Sequence, residues 1–289
     1  MHSHNLSRGA LLILVSELLL VASGMVVKQL GGELPTEQVV FVRNLFGLLL
    51  LLPWLMRNGL SAVKTDQLRF HLMRAAIGVA AMSCLYYSWA QLPLAQAALM
   101  KQTAPFFMPL FAFWWLGERI PSMAKLAIAV GFGGVFLILN PTAGALDLAL
   151  LVALCGAMLG ALAKVVIRRM SGSEPARRIV FYFALFSTLI SLLPALWSWV
   201  NPTLSQWLWL ALMASTSTLA QLLLSRAYGL APAGQLGPFT YASVAFAALF
   251  GWLLWHELLA LHSWLGMLVV VAAGLLAMQG RRVPGSATA

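Results

Sequence analysis

Ten stretches of this chain are long enough and apolar enough to cross a bilayer as helices, and that feature alone narrows its fold to an all-α integral membrane bundle. They run at roughly 9–30, 37–55, 72–91, 94–116, 123–140, 147–167, 179–199, 204–226, 235–256 and 263–279, each near the ~20 residues that a helix needs to cross the hydrocarbon core. Turn chemistry separates them: Gly31-Gly32 with Pro35, Asn58-Gly59, Leu92-Pro93, Ile120-Pro121, Asn140-Pro141, Ser171-Gly172 with Pro175, and Asn201-Pro202. Only 9% of the residues are charged and 61% are hydrophobic, against about 25% charged in an ordinary soluble domain, so a water-soluble protein is excluded. Cys84 and Cys155 both fall inside apolar runs, which points to core residues and gives neither a disulfide framework nor a metal-ligand cluster. The first run is too long for a cleavable signal, so the first span is expected to stay as an anchor.

The basic residues set the expected orientation. With a cytoplasmic N-terminus, Arg8, Arg57, Lys64, Arg69, Arg74, Arg119, Lys125, Arg168, Arg169, Arg177, Arg178, Arg226, Arg281 and Arg282 fall on the cytoplasmic side, which is 14 of the 18 Lys and Arg. The opposite loops QLPLA, NPTAGALD and WVNPTLSQ carry none, as the positive-inside rule requires. Both termini are therefore expected in the cytoplasm. The net charge of +10 then reflects insertion topology and attraction to anionic headgroups, and no nucleic-acid partner is expected.

The two halves end in matching segments. Residues 92–118 read LPLAQAALMKQTAPFFMPLFAFWWLGE, residues 230–257 read LAPAGQLGPFTYASVAFAALFGWLLWHE, and Glu257 follows Glu118 by 139 positions (257 − 118). A duplication follows, with a first repeat over 1–141, a second over 142–282 and a short cytoplasmic tail over 283–289. Five crossings per repeat is an odd number, so the second repeat is inverted, with Glu118 at the cytoplasmic face and Glu257 at the opposite one. Inverted repeats provide two equivalent packings, inward-open and outward-open, around one central site.

These residues resemble the drug/metabolite transporter superfamily, specifically its EamA-type branch. The resemblance rests on the Leu-Pro/Ala-rich lead-in, Pro105 or Val244 thirteen positions before the terminal acid, the endings Leu116-Gly117-Glu118 and Trp255-His256-Glu257, and the Gly-rich final helices (Gly131, Gly133 and Gly134; Gly266 and Gly274). It covers essentially the whole chain. It implies a ten-helix transporter of small metabolites or drugs in the bacterial inner membrane, with a central cavity, and it names no substrate.

Charges at membrane depth are the candidates for the site. An ionisable side chain near the bilayer centre costs at least ~2.5–3.5 kcal/mol on insertion scales, so it needs a partner, a wet cavity or a function. Glu17, Arg43, Lys101 and Lys164 are such residues, whereas Lys28, Arg74 and Arg226 lie near span ends and read as interface anchors. Glu17, Val21, Gly24 and Lys28 share one face of the first helix. A carboxylate on that face can couple protons to substrate. The acid in the first helix of the small multidrug resistance transporters, distant relatives by the same resemblance, plays that part. The alternative is an ion pair of Glu17 with Lys101 or Arg43 that holds helices together.

Pro105 follows Lys101 by four positions, so a kink is expected beside the lysine. Lys101 and Arg43 are expected to form one cationic lobe suited to a carboxylate or phosphate. Lys164 is a secondary candidate, following the stripe Gly156, Gly160. Gln102, Thr240, Tyr241 and Ser243, Ser217 with Gln221 and Ser225, and Ser83 with Tyr87 supply polar groups that serve either substrate or interhelical hydrogen bonds. Most tryptophans fall near span ends as an aromatic belt, with Trp89 and Tyr86 as candidate exceptions.

The expected function is a secondary transporter, proton-linked or exchanging, of a small anionic or zwitterionic metabolite such as an amino acid or organic acid. The substrate is assigned to Arg43, Lys101, Gln102, Tyr87, Trp89, Gln221 and Tyr241, and proton coupling to Glu17. The alternative is efflux of lipophilic cations through Glu17 and aromatics. No catalytic constellation, metal-ligand spacing or ATP-binding motif is present in the sequence, so no enzyme, cofactor or metal is expected; the Gly-rich stripes fix no oligomeric state.

Overall fold

The structure, a computed structural model, describes residues 2–120, 122–139, 147–170, 172–230 and 236–279. Within them the regular structure is entirely helical: α1 (His2–Leu30), α2 (Thr36–Asn58), α3 (Leu68–Gln91), α4 (Leu94–Lys101), α5 (Ala104–Leu116), α6 (Ser122–Leu139), α7 (Leu148–Met170), α8 (Ala176–Trp197), α9 (Leu204–Leu230), α10 (Ala242–Trp255) and α11 (Leu261–Gln279), with short 3-10 turns at Leu60–Val63 and Gly237–Tyr241. Seven of these helices are individually long and apolar enough to cross a membrane. The expected fourth span is α4 followed by α5, and the ninth is the second 3-10 turn followed by α10, which together with α11 makes ten. The expected breaks at Asn140-Pro141 and Pro121, and the tail from 280 on, lie outside the described residues.

Lipid explains the surface. Leu50, Phe113, Trp114, Leu193, Trp197, Trp252 and Leu268 are exposed, a distribution that would be a liability in water and is ordinary on a membrane face. Cys155 also faces outward, so the expectation of a core residue holds for neither its burial nor its packing; half-buried Cys84 sits against Gly156 of α7.

The packing scheme is two-fold. α1 packs along α9 and α3 along α7, and exchanging the repeats converts one pair into the other; α2 with α8 and α6 with α11 are each pairs of equivalents, and α4, the first half of the fourth span, packs on α10, the second half of the ninth. Between α6 and α11 the backbones meet at Gly134 and Gly266, where a Cβ on either would lie 3.0 or 2.7 Å from the other's carbonyl. These stripes therefore pack within the chain. Side chains stitch the other seams: Ser16 donates to the Ala220 carbonyl at 2.7 Å, and Asn44 donates to Ser191 at 3.4 Å across α2 and α8.

Both repeats break their fourth span and close it the same way. Gly117 (φ 67°) and His256 (φ 54°) take the left-handed conformation that ends a helix, and the next residue's amide reaches six positions back, Glu118 N to Ala112 O at 3.2 Å and Glu257 N to Gly251 O at 3.1 Å. Glu257, at the end of α10, touches the first residue of α4. The two spans therefore run antiparallel, as inversion requires.

Candidate functional site between the two broken spans

The breaks occur at equivalent positions and face one another. Adding 139 to Gln102 gives Tyr241, and the regular helix resumes just past each, at Ala104 and Ala242. In the first repeat the turn tightens, with Gln102 N held by Leu99 O at 2.9 Å and Thr103 N by Met100 O at 3.0 Å. Pro105 withholds the N–H that would take the Lys101 carbonyl, and one residue back Thr103 Oγ1 donates to the Met100 carbonyl at 2.6 Å. In the second repeat Pro238 opens the 3-10 turn. Gln102 crosses between them, donating through Nε2 to the Thr240 carbonyl at 2.7 Å and to Ser243 Oγ at 2.9 Å.

Charge collects at this crossing. Glu17 of α1 is buried and faces Lys101 Nζ at 4.0 Å; the Ser243 hydroxyl and the charge of Lys164 also act on it. At 4.0 Å the lysine is an ion-pair neighbour but donates no hydrogen bond, and Glu17 Oε2 has no hydrogen-bond partner among the described residues. A structural pair selected only to hold helices together would close to hydrogen-bonding distance, because an unsatisfied buried carboxylate oxygen is costly. The looseness fits a carboxylate that exchanges partners. A narrow cleft lined by Leu20, Val21, Trp89, Leu94, Ala98, Lys101, Ser243 and Ala247 reaches the lysine of this pair.

The other predicted residues fall in different places. Trp89 is buried, stacks on Tyr86 at 5.4 Å, and fits against α1 only because Gly24 carries no side chain. Tyr87 packs half-buried against the main core. Tyr241 sends its hydroxyl against Gly274 of α11, and Gln221 and Lys164 are exposed on α9 and α7. Arg43 does not join Lys101 in one lobe. It is buried on α2, donates to Asn44 Oδ1 at 3.3 Å, and lies beside the Tyr86 hydroxyl. Arg74 is no interface anchor either: its guanidinium lies under Phe183 of α8, 4.2 Å from the ring centroid.

The two ends of the bundle differ. At one end Lys28 Nζ pairs with Glu257 Oε1 at 2.7 Å and donates to the Leu92 carbonyl at 2.7 Å, while the Leu94 amide donates to Glu257 Oε2 at 2.8 Å. A carboxylate on the first amide of α4 also gains from the helix dipole. Lys28, read from the sequence as an anchor, is thus half of a lock between α1, α4 and the end of α10. The signal was present in its shared face with Glu17. At the other end Glu118 meets Arg168 at 2.9 Å with side chains 37% and 55% exposed. α1 packs on α3, whereas the equivalent pair, α7 and α9, makes no comparable contact among the described residues.

A cluster below the Glu118 end ties loops rather than spans. Glu174 accepts from Thr65 Oγ1 at 2.6 Å and from Arg178 Nη1 at 3.1 Å, with His71 Nε2 3.6 Å away and stacked on Tyr182. Burial pushes the Glu174 carboxyl up, but the Thr65 hydrogen bond and the Arg178 charge outweigh it and hold it below the usual carboxylate range.

The EamA-like transporter family matches this chain twice, over residues 7–140 and 147–279. The pseudopaline exporter CntI of Pseudomonas aeruginosa is 33% identical over 271 residues, 92% of this chain and 95% of that one. The riboflavin transporter of Vibrio cholerae is 28% identical, covering 93% and 92%, and the S-adenosylmethionine uptake transporter of Rickettsia bellii is 24% identical, covering 88% and 87%. A crystal structure at 17% identity superimposes with a TM-score of 0.64 over 96% of this chain and 98% of that one, which speaks to fold alone.

Proposed function

Because the chain belongs to the EamA-like transporter family, we propose that it is a secondary active transporter of a small anionic or zwitterionic metabolite, working by alternating access and linked to protons or to exchange. It is a multi-pass membrane protein and a transporter, not an enzyme. The relatives are named for pseudopaline export, riboflavin transport and S-adenosylmethionine uptake, so neither cargo nor direction follows from kinship. The single observation that carries the proposal is the loosely paired Glu17 and Lys101 at the crossing of two broken spans. Helix breaks free backbone polar groups, and transporters use such breaks to hold ligands at membrane depth.

In the proposed cycle Lys101 takes a carboxylate of an amino acid or organic acid. Glu17 then loses its cationic neighbour and meets either a proton or the ammonium group of the substrate. Gln102 and Ser243 keep the two breaks in register, so substrate contacts both repeats and its arrival is felt at both ends. The bacterial inner membrane, with both termini cytoplasmic, is the proposed location. Glu118 then faces the cytoplasm, and the Lys28–Glu257–Leu94 lock closes the outer face. On this reading the conformation is the one closed at the outer face.

The experiment is counterflow and proton-driven flux in proteoliposomes with amino acids, di- and tricarboxylates, phosphorylated metabolites and lipophilic cations, comparing wild type with Lys101→Ala and Glu17→Gln. Transport of an anionic or zwitterionic compound is expected to fall by at least about tenfold in Lys101→Ala, the scale of one charged hydrogen bond. Glu17→Gln should lose net proton-driven flux and spare equilibrium exchange. Transport confined to lipophilic cations, undiminished in Lys101→Ala, would refute the proposal.

A further inference from the structure

We propose that Arg43 and Arg74 form a second anion-binding lobe of the cavity, which takes a carboxylate or phosphate group of the substrate. This rests on reading the chain as a carrier of anionic solutes, and it extends the substrate class to molecules with two separated anionic groups.

The two guanidinium groups come from neighbouring helices, α2 and α3, which both pack on α8, and the charge of Arg43 acts on Arg74. Arg43 is 8% exposed and its partners are neutral, Asn44 Oδ1 and the Tyr86 hydroxyl. Nε and Nη1 of Arg74 are buried without a hydrogen-bond partner among the described residues. Glycine at position 78 makes the space for this, since a Cβ there would run into the Arg74 guanidinium and come within 2.7 Å of the Phe183 ring.

Two buried like charges without an acid are unfavourable, because each desolvated ion needs a counter-charge. The chain has none to give. It contains eight acids, of which Glu17, Glu118, Glu174 and Glu257 are paired with other cations. Asp147 caps α7 through the Ala149 amide, Glu33 accepts from Gln206, and Glu37 and Asp66 are exposed. The missing counter-charge must come from a bound molecule. Arginine forks match the paired oxygens of a carboxylate or phosphate.

The lobe adjoins the cleft rather than standing apart from it. Trp89 lines the cleft beside Lys101, Tyr86 stacks on Trp89, and Arg43 reaches the far end of that stack at the Tyr86 hydroxyl. The buried Tyr86–Trp89 stack thus links Lys101 at one end to Arg43 at the other, and a substrate with two anionic groups would bridge them.

The test uses the full chain in nanodiscs of zwitterionic phosphatidylcholine, with thermal unfolding followed against inorganic phosphate and succinate. Wild type is expected to show a saturable rise in Tm, as any ligand of the native state produces. In Arg74→Met and in Arg43→Gln the same rise should need at least about tenfold more anion. The anion-free Tm of Arg74→Met should be no lower than that of wild type, since one of two repelling charges is gone; a purely structural Arg74 would show the opposite. If Arg74→Met does not fold, Arg43→Gln carries the same comparison. Nanodiscs of anionic phosphatidylglycerol separate the two sources of phosphate: a Tm raised by that lipid, with free anion adding nothing, assigns the lobe to a headgroup and overturns the proposal. So does a wild type indifferent to both anions, or an equal response in the variants. The readout is equilibrium binding, so loss of transport in Lys101→Ala without any anion effect would remove this lobe and leave the main site standing.

Discussion

At the Glu118 end the fourth span leaves its helix through Gly117, and its acid meets Arg168 in the open. At the Glu257 end the ninth span leaves through His256, and its acid is enclosed between Lys28 and the Leu94 amide. The backbone turn is the same, down to the six-residue hydrogen bond that closes it. Each acid also meets a cation near the end of the other repeat's first helix, Lys28 of α1 or Arg168 of α7, so the difference lies in enclosure: the Lys28–Glu257 side chains are 14% exposed and the Leu94 amide completes the pair, whereas Arg168 and Glu118 are 55% and 37% exposed. Under the proposed alternating access the two ends are gates of one build, and the enclosure of each ion pair sets which closes the more tightly.

The comparison is most sharply broken by removing the lock. Glu257→Gln leaves Lys28 without its counter-charge at an enclosed site, a loss of about 3 kcal/mol, which shifts the balance between closed and open states of that end by roughly 100-fold. Fluorescence or spin-label distances between the Lys28 end of α1 and the Glu257 end of α10 would register it; unchanged distances would show that apolar packing, not the ion pair, closes that end.

The next effect tests what holds the Glu118 end together if not Glu118. Glu174→Gln should cost about 2 kcal/mol, the value of hydrogen bonds to a charged acceptor. Because the folded-state carboxyl is held low, its stabilisation is complete above the ordinary carboxylate range and drains away as pH falls through the lowered folded value. Wild-type Tm should therefore fall on the acid side while the Glu174→Gln curve stays flatter. Parallel curves would place the acid sensitivity elsewhere.

A smaller effect tests the shared turn. His256 holds a left-handed conformation that costs a non-glycine residue about 1 kcal/mol, so His256→Gly should raise stability by about that amount and Gly117→His lower it by the same. Smallest of all, Glu118→Gln removes a pair exposed to solvent and should change stability by less than about 1 kcal/mol; a loss as large as that in Glu257→Gln would make the two ends equivalent after all.

Much of the fold was legible because lipid leaves a chain few options. Runs of about twenty apolar residues, an odd number of spans per repeat and the matched endings give the spans and the inversion without any knowledge of packing. Glu17 and Lys101 were legible as depth anomalies, and Pro105 announced the break beside them. What the sequence hides is which way a long side chain turns. Arg43 lies deep enough to reach Lys101 yet points to Tyr86, and Arg74 is near enough to a span end to snorkel yet lies under Phe183. Tyr241, the equivalent of Gln102, turns its hydroxyl to Gly274 while Gln102 bridges the breaks. Those directions depend on helix rotation and on where glycines leave room, and periodicity along one helix encodes neither.

The most direct test of one-sided closure is thiol labelling of a single cysteine at Leu20, which lines the cleft, in a background lacking Cys84 and Cys155. A membrane-impermeant maleimide should react from the cytoplasmic side alone, and Glu257→Gln should add reaction from the outside. Labelling from the outside in the protein with Glu257 intact, or no change when Glu257 is replaced, would contradict the account.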